Sequence, residues 1–176
     1  MKTPYVRNAG RIVVAVAASG LVSVAAVRAQ DQPVLVAGTT VKIPGSRGSF
    51  DFLEMDPDRH RLLAAHEGDG TADVIDLETS AVVARVKVGG APVDVVSDAK
   101  TGRYFVSAPG GKRVAVLDAS TLKETGSIAM AGPLDAILLV PASRRLYVTH
   151  DDGTEVWVVD ADALKVVASI AIPGAP

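Results

Sequence analysis

Residues 144–174 read Arg-Arg-Leu-Tyr-Val-Thr-His-Asp-Asp-Gly-Thr-Glu-Val-Trp-Val-Val-Asp-Ala-Asp-Ala-Leu-Lys-Val-Val-Ala-Ser-Ile-Ala-Ile-Pro-Gly, the clearest copy of a unit that occurs three times. A shift of 42 positions aligns Arg61 with Arg103 and Arg145, Asp76 with Asp118 and Asp160, and Gly48 with Gly90, Gly132 and Gly174, without a gap. A period in the low forties belongs to propellers or to helical-repeat arrays, and the content of the unit separates the two. In the third copy the short runs 134–140, 146–149, 156–159 and 166–172 are rich in branched aliphatic residues, the pattern of buried or half-buried strands. Four strands per unit is the count for one propeller blade. The expected fold class is therefore all-β, with blades of four antiparallel strands.

The connections agree. His66-Glu67-Gly68-Asp69-Gly70, Ala108-Pro109-Gly110-Gly111 and His150-Asp151-Asp152-Gly153 separate the second and third strands, with residues suited to tight hairpins. Asp76, Asp118 and Asp160 each close the third run, where an aspartate makes a turn by accepting from the backbone N–H two residues on. The near-continuous apolar runs Ala72-Asp73-Val74-Ile75, Val114-Ala115-Val116-Leu117 and Val156-Trp157-Val158-Val159 suit a sheet packed on both faces.

Tyr147-Val148-Thr149-His150 resembles the Tyr-Val-Thr-Asn signature of the YVTN family of β-propeller repeats, with histidine in the asparagine place. Phe50-Asp51-Phe52, the segment Asp56-Pro57-Asp58-Arg59-His60-Arg61-Leu62, and Ala72-Asp73-Val74-Ile75-Asp76-Leu77-Glu78-Thr79 are similar to the opening blade of secreted, YncE-like members. The resemblance runs from about Val41 to the end and is weakest in the second copy, which reads Phe105-Val106-Ser107-Ala108. It implies a propeller and specifies the ligand badly.

Residues 1–29 read as a secretory signal. Lys2, Arg7 and Arg11 precede an apolar run over 12–26, and Val27-Arg28-Ala29 offers small side chains for cleavage before Gln30. A run of about 15 apolar residues is short of the roughly 20 that a membrane span needs. The expected organisation is a signal over 1–29 and a partial propeller over 30–176, in a periplasmic or secreted protein. Residues 1–29 hold four of the 18 basic residues and none of the 20 acidic ones, so the remainder carries 14 basic against 20 acidic side chains. Such a chain has no basic surface for general nucleic-acid binding. Cysteine is absent, which excludes disulfides, a thiolate nucleophile and cysteine-ligated zinc.

Residues 34–43 read as one further strand, whose last residues align with the outer strand 83–88; in propellers such an N-terminal strand often completes the last blade. Three blades do not make a ring of the usual four to eight. The leading expectation is a fragment of a longer reading frame. Association of copies to complete a ring, and an open array stabilised in some other way, are the alternatives.

Hairpin tips and the loops that enter each blade share one face of a propeller. That face gathers Ser46, Arg47 and Ser49, then His66, Glu67 and Asp69, then Lys112 and Arg113, then His150, Asp151 and Asp152. Histidine with carboxylate is a metal-capable set, but Asp-Gly and Asp-Asp-Gly are also ordinary hairpin chemistry, and solvated turns are the plainer reading. Asp51 and Asp135 begin first strands at matching positions, with Asp94 displaced by one; they face a channel ligand or bond loop amides. His60 belongs to an exposed turn on the opposite face, and Trp157 to blade packing. No Gly-x-Ser-x-Gly elbow, lysine-bearing phosphate loop or His-Glu-x-x-His occurs, and the spacing does not argue for a serine-histidine-aspartate set. The expected function is non-catalytic binding or scaffolding of a protein, peptide or small ligand, with no cofactor. The alternatives are a metal- or cofactor-dependent oxidoreductase or its partner, and a truncated product without independent function.

Overall fold

The computed structural model describes Gly38 and residues 40–173. The chain divides into two units, Met1–Gly38 and Thr39–Pro176, and the architecture described is that of the second. The expected signal over 1–29 and the repeat glycine Gly174 lie outside the described residues.

Among the described residues, twelve strands form three four-stranded antiparallel sheets. The first contains β1 (Leu53–Asp56), β2 (Arg61–His66), β3 (Thr71–Asp76) and β4 (Ala81–Lys87). The second contains β5 (Val95–Asp98), β6 (Arg103–Ala108), β7 (Arg113–Asp118) and β8 (Lys123–Ala129). The third contains β9 (Leu134–Val140), β10 (Arg145–His150), β11 (Glu155–Asp160) and β12 (Lys165–Ala171). Strands pair in chain order within each sheet. The register repeats: Leu62 opposes Ile75, Tyr104 opposes Leu117, and Leu146 opposes Val159. Even the irregularity repeats, since pairing with the fourth strand shifts at Val74/Ile75, Val116/Leu117 and Val158/Val159. A bulge there adds local twist to the outer strand.

The core lies between the sheets. Leu63, Ala72 and Val74 of the first meet Val95, Tyr104, Val106, Ala115 and Leu117 of the second in one buried cluster. Phe105, Val114, Val116 and Ile128 of the second meet Leu134, Ile137, Leu146, Val148, Trp157 and Val159 of the third in another. Each such aliphatic or aromatic side chain contributes roughly 1.5–3 kcal/mol when fully buried. The first strands β1, β5 and β9 approach one another and are the inner strands. The unit is an incomplete β-propeller, with Trp157 in blade packing as expected.

Each seam also carries a polar lock at one position of the repeat. Asp56, at the end of β1, is buried and accepts from the Tyr104 hydroxyl of the next sheet at 2.6 Å. Burial raises this carboxyl, but bonds from Tyr104 and Arg59 outweigh it and hold the group below its ordinary value. Burial, aided by Asp56, pushes the Tyr104 hydroxyl up to about 12. One repeat on, buried Asp98 accepts two bonds from the Arg144 guanidinium of the third sheet, at 2.8 and 2.6 Å. One repeat further the residue is Val140.

The turn aspartates behave as their position predicts. Asp118 accepts from the Ser120 and Thr121 amides at 3.0 and 2.6 Å, and Asp160 from Asp162 and Ala163 at 3.0 and 2.8 Å. Asp76 instead takes the Thr79 amide and hydroxyl, both at 2.7 Å. These bonds hold all three carboxyls below their ordinary value. A carboxyl depressed in the folded state stabilises above its unfolded value, near 4, and loses that contribution as pH falls through the folded value. Denaturant midpoints are therefore expected to fall between pH 5 and pH 2.5, and Asp118→Asn to flatten that fall; a variant that keeps the full slope would contradict the assignment.

Of the strand expected over 34–43, only Gly38 and residues 40–43 are described, and they hold no strand. A strand needs a hydrogen-bonded neighbour, and among the described residues no sheet edge pairs with this segment. His60 is exposed as expected, with Nδ1 2.7 Å from Glu78.

Candidate functional site

The loop that enters each blade lies on that blade's hairpin tip, and the periodic glycines make the contact. A Cβ on Gly68 would fall 2.2 Å from the Arg47 carbonyl oxygen and 2.7 Å from Gly48 Cα. A Cβ on Gly90 would fall 2.6 Å from the Gly111 nitrogen, and one on Gly132 would strike the His150 ring. Gly48 and Gly90 also take φ of +75° and +66°, a region that costs other residues. At Gly48 and Gly90 the repeating glycine thus serves a backbone-on-backbone approach, and at Gly132 it makes room for the His150 side chain.

Beneath this contact one position recurs: His66, Ala108 and His150 each end the second strand. His66 is fully buried. Its Nδ1 lies 2.9 Å from Asp73 Oδ2, and its Nε2 lies 3.1 Å from Ser46 Oγ and 3.0 Å from the Arg47 carbonyl oxygen. Phe50 stacks on the ring, with centroids 4.0 Å apart. Asp73, also fully buried, accepts from Thr71 Oγ1 at 2.6 Å and from Arg85 Nε at 3.4 Å. Arg85 bonds Asp69 as well and donates to the Pro44 carbonyl at 3.3 Å. Asp69 accepts from the Arg47 amide at 3.2 Å; desolvation raises its carboxyl, but the bonds from Arg47 and Arg85 together with the neighbouring positive charge outweigh this and hold it below its ordinary value. Ser49 donates to Glu67 at 3.1 Å.

Ser46, His66 and Asp73 therefore stand in the order and at the distances of a nucleophile, base and orienting carboxylate. The Asp73 carboxylate occupies Nδ1, and at Nε2 the Arg47 carbonyl oxygen competes with the Ser46 hydroxyl, so both ring nitrogens are engaged within the chain. The set acts as a latch that holds the loop over 44–50 onto the first sheet.

The other expected residues are dispersed. Lys112 is exposed on the tip of the second hairpin at φ +48°. Arg113 is committed inward, donating to Glu124 at 3.1 Å and to the Val88 carbonyl at 2.7 Å; the Glu124 bond raises its guanidinium further. His150 is half-buried against Trp157, with ring centroids 4.8 Å apart. Its Nδ1 lies 3.1 Å from Asp152 without forming a hydrogen bond. Asp151 and Asp152 are exposed. Among the described residues, no group of three or more histidine or carboxylate side chains is placed to hold a metal ion.

Asp51 is exposed and lies two residues before β1 rather than beginning it, whereas Asp135 is half-buried within β9. The displaced member, Asp94, is the bonded one: its carboxylate accepts from the Val95 amide at 2.7 Å and, across the seam, from the Ile137 amide at 2.8 Å. Burial pushes its carboxyl up, with Glu54 and Asp135 adding to the effect and the two amides opposing it. Sequence reasoning missed Asp73, Arg85 and Arg144. Asp73 had a signal, since it is the one charged residue inside an otherwise apolar third strand where the other copies have Ala115 and Trp157.

No protein-family model and no curated protein sequence matches the chain. Solved structures do. A chain of Kuenenia stuttgartiensis hydrazine synthase is 22% identical, with a TM-score of 0.67 over 79% of this chain and 40% of that one. Dihydro-heme d1 dehydrogenase NirN, in complex with DHE, is 20% identical with a TM-score of 0.56, over 71% and 28% of the two chains. Apo AztD from Citrobacter koseri is 16% identical with a TM-score of 0.56, over 66% and 33%. The chain spans well under half the length of each. At these identities the likeness concerns the fold alone, and with the three sheets it establishes an incomplete β-propeller.

Proposed function

We propose that this chain is part of a secreted propeller of the YVTN, YncE-like kind, exported by the signal over 1–29, and that it serves as a non-catalytic binding or scaffolding module. One observation carries the reading: the side chains best suited to chemistry are used by the chain itself. His66 is enclosed with both ring nitrogens engaged, and Arg113 ties the second entering loop to β8. The groups left on the loop face are Arg47, Lys112, Asp151 and Asp152, with Asp51 on the inner side, all exposed. A surface of dispersed charges on hairpin tips suits recognition of a protein or peptide more than conversion of a small substrate.

The competing reading is a metal- or cofactor-dependent oxidoreductase or its partner, and the names hydrazine synthase and dihydro-heme d1 dehydrogenase among the similar structures supply its motive. Elemental analysis and an absorption spectrum of the exported protein separate the two. We expect no stoichiometric metal and no visible chromophore. Stoichiometric metal that is lost in His150→Ala would replace the binding reading with the second.

A further inference from the structure

We propose that the bond between Asp152 and Gly153 is a site of spontaneous backbone isomerisation, at which Asp152 is converted to isoaspartate in the folded protein. The chain contains two Asp-Gly pairs, Asp69-Gly70 and Asp152-Gly153, in the hairpin tips of the first and third sheets. In such a pair the glycine nitrogen attacks the side-chain carboxyl of the residue before it, which requires both groups to be unrestrained. The fold treats the two pairs in opposite ways.

At the first tip both reactants are held. The Asp69 side chain is 17% exposed, accepts from the Arg47 amide at 3.2 Å and is bonded by Arg85. The Gly70 nitrogen donates to the carbonyl oxygens of His66 and Glu67, at 3.0 and 3.2 Å. At the third tip neither reactant is held. The Asp152 side chain is 80% exposed, and among the described residues neither its carboxylate nor the Gly153 amide has a hydrogen-bond partner. The chain is pinned on either side instead. The Asp151 amide donates to the Pro133 carbonyl at 3.2 Å, and the Thr154 carbonyl accepts from the Ile172 amide at 2.7 Å. Glu67–Asp69 and Pro109–Gly111 form 3-10 turns at the other two tips, whereas residues 151–154 form only a bend. His150 explains why the successor is glycine. A Cβ at position 153 would lie 2.4 Å from both Cγ and Nδ1 of the His150 ring, so packing requires the residue with no side chain to obstruct the attack.

The reaction needs only solvent. The Gly153 nitrogen bonds to Asp152 Cγ, and one carboxylate oxygen leaves as water, taking the amide hydrogen and a proton from solvent. The product is a cyclic succinimide, to which water adds. Opening at Cγ restores aspartate. Opening at the former main-chain carbonyl breaks its bond to nitrogen and leaves the chain running through Cγ, with an extra methylene in the backbone and the carboxylate on the former main-chain carbon. Asp152 is among the exposed charges of the loop face, so this step alters both the shape of the third tip and the position of its charge. The step stands whether or not that face binds a partner.

The native protein, held at near-neutral pH and digested at intervals, is expected to accumulate isoaspartate in the peptide containing Asp152. Chromatography and electron-transfer fragmentation resolve it from the aspartate form of equal mass. The rate at Asp152 is expected to exceed that at Asp69 by about tenfold or more, since Asp69 must await local opening. In urea sufficient to unfold the chain the two rates are expected to converge, because both pairs precede threonine. Asp152→Glu keeps the charge but closes the ring poorly, and is expected to abolish the product. Equal rates at the two sites in the folded protein, no isoaspartate at position 152, or a contrast that persists in urea would overturn the proposal.

Discussion

Replacing Arg144 by alanine is expected to remove about 3–5 kcal/mol of unfolding free energy, the usual consequence of breaking a buried pair from one side. Asp98 would keep its bond from Thr101 but lose both guanidinium donors at 2.8 and 2.6 Å, while remaining at the buried seam. Against a typical stability of about 5–15 kcal/mol the loss is large and should appear as a lower urea midpoint. Removing both partners as Arg144→Leu with Asp98→Val should recover most of it, since Val140 shows that the repeat tolerates an aliphatic residue at the carboxylate position. The pH dependence supplies a further check. Desolvation raises the Asp98 carboxyl, but Arg144 and Thr101 overcome this and hold it below its ordinary value. Its contribution is therefore present above the unfolded value, near 4, and lost as pH falls through the folded one. In Arg144→Ala that acid-side loss should vanish. A single variant within about 0.5 kcal/mol of the parent, the range of surface changes, would show that the pair does not hold the seam.

His66→Ala is expected to cost about 1–3 kcal/mol, the range for leaving a buried polar group without one of its partners, with a different spatial signature. Asp73 loses a donor at 2.9 Å in a fully buried site, and the loop over 44–50 loses its bonds through Ser46 and the Arg47 carbonyl together with the Phe50 stack. Hydrogen exchange should rise first in that loop and in the tip Glu67–Asp69, before the second and third sheets respond. Ser46→Ala should cost only about 0.5–1.5 kcal/mol, the range for one neutral hydrogen bond, because the Arg47 carbonyl still holds Nε2. An exchange increase spread evenly over all three sheets in His66→Ala would show that His66 is not a local latch.

The glycines at 48, 90 and 132 were legible as markers of a repeat, and their purpose was not. Their spacing shows in the sequence, whereas the contacts of Gly48 with Gly68 and of Gly90 with Gly110 exist only once loop and hairpin are superposed. Ser80, Leu122 and Leu164 take φ of +54°, +55° and +54° at one position of the repeat. No glycine or asparagine marks them, so this left-handed turn had no local signature. His66 and His150 looked alike from the hairpin chemistry around them, yet the first is enclosed by Asp73, Ser46 and the Arg47 carbonyl while the second packs on Trp157.

The four strands of each blade, their order within a sheet and the turn aspartates follow from the sequence alone, because each depends on residues a few positions apart whose alternation and turn chemistry act locally; the further strand expected over 34–43 does not form in its described residues. The tertiary structure decided which charges pair. Asp98 and Arg144 are 46 residues apart, and Asp56 and Tyr104 are 48 apart. Only the stacking of one sheet on the next removes them from water and makes their partnership count, and that same stacking leaves Leu53, Leu138 and Ile170 uncovered at the two outer faces.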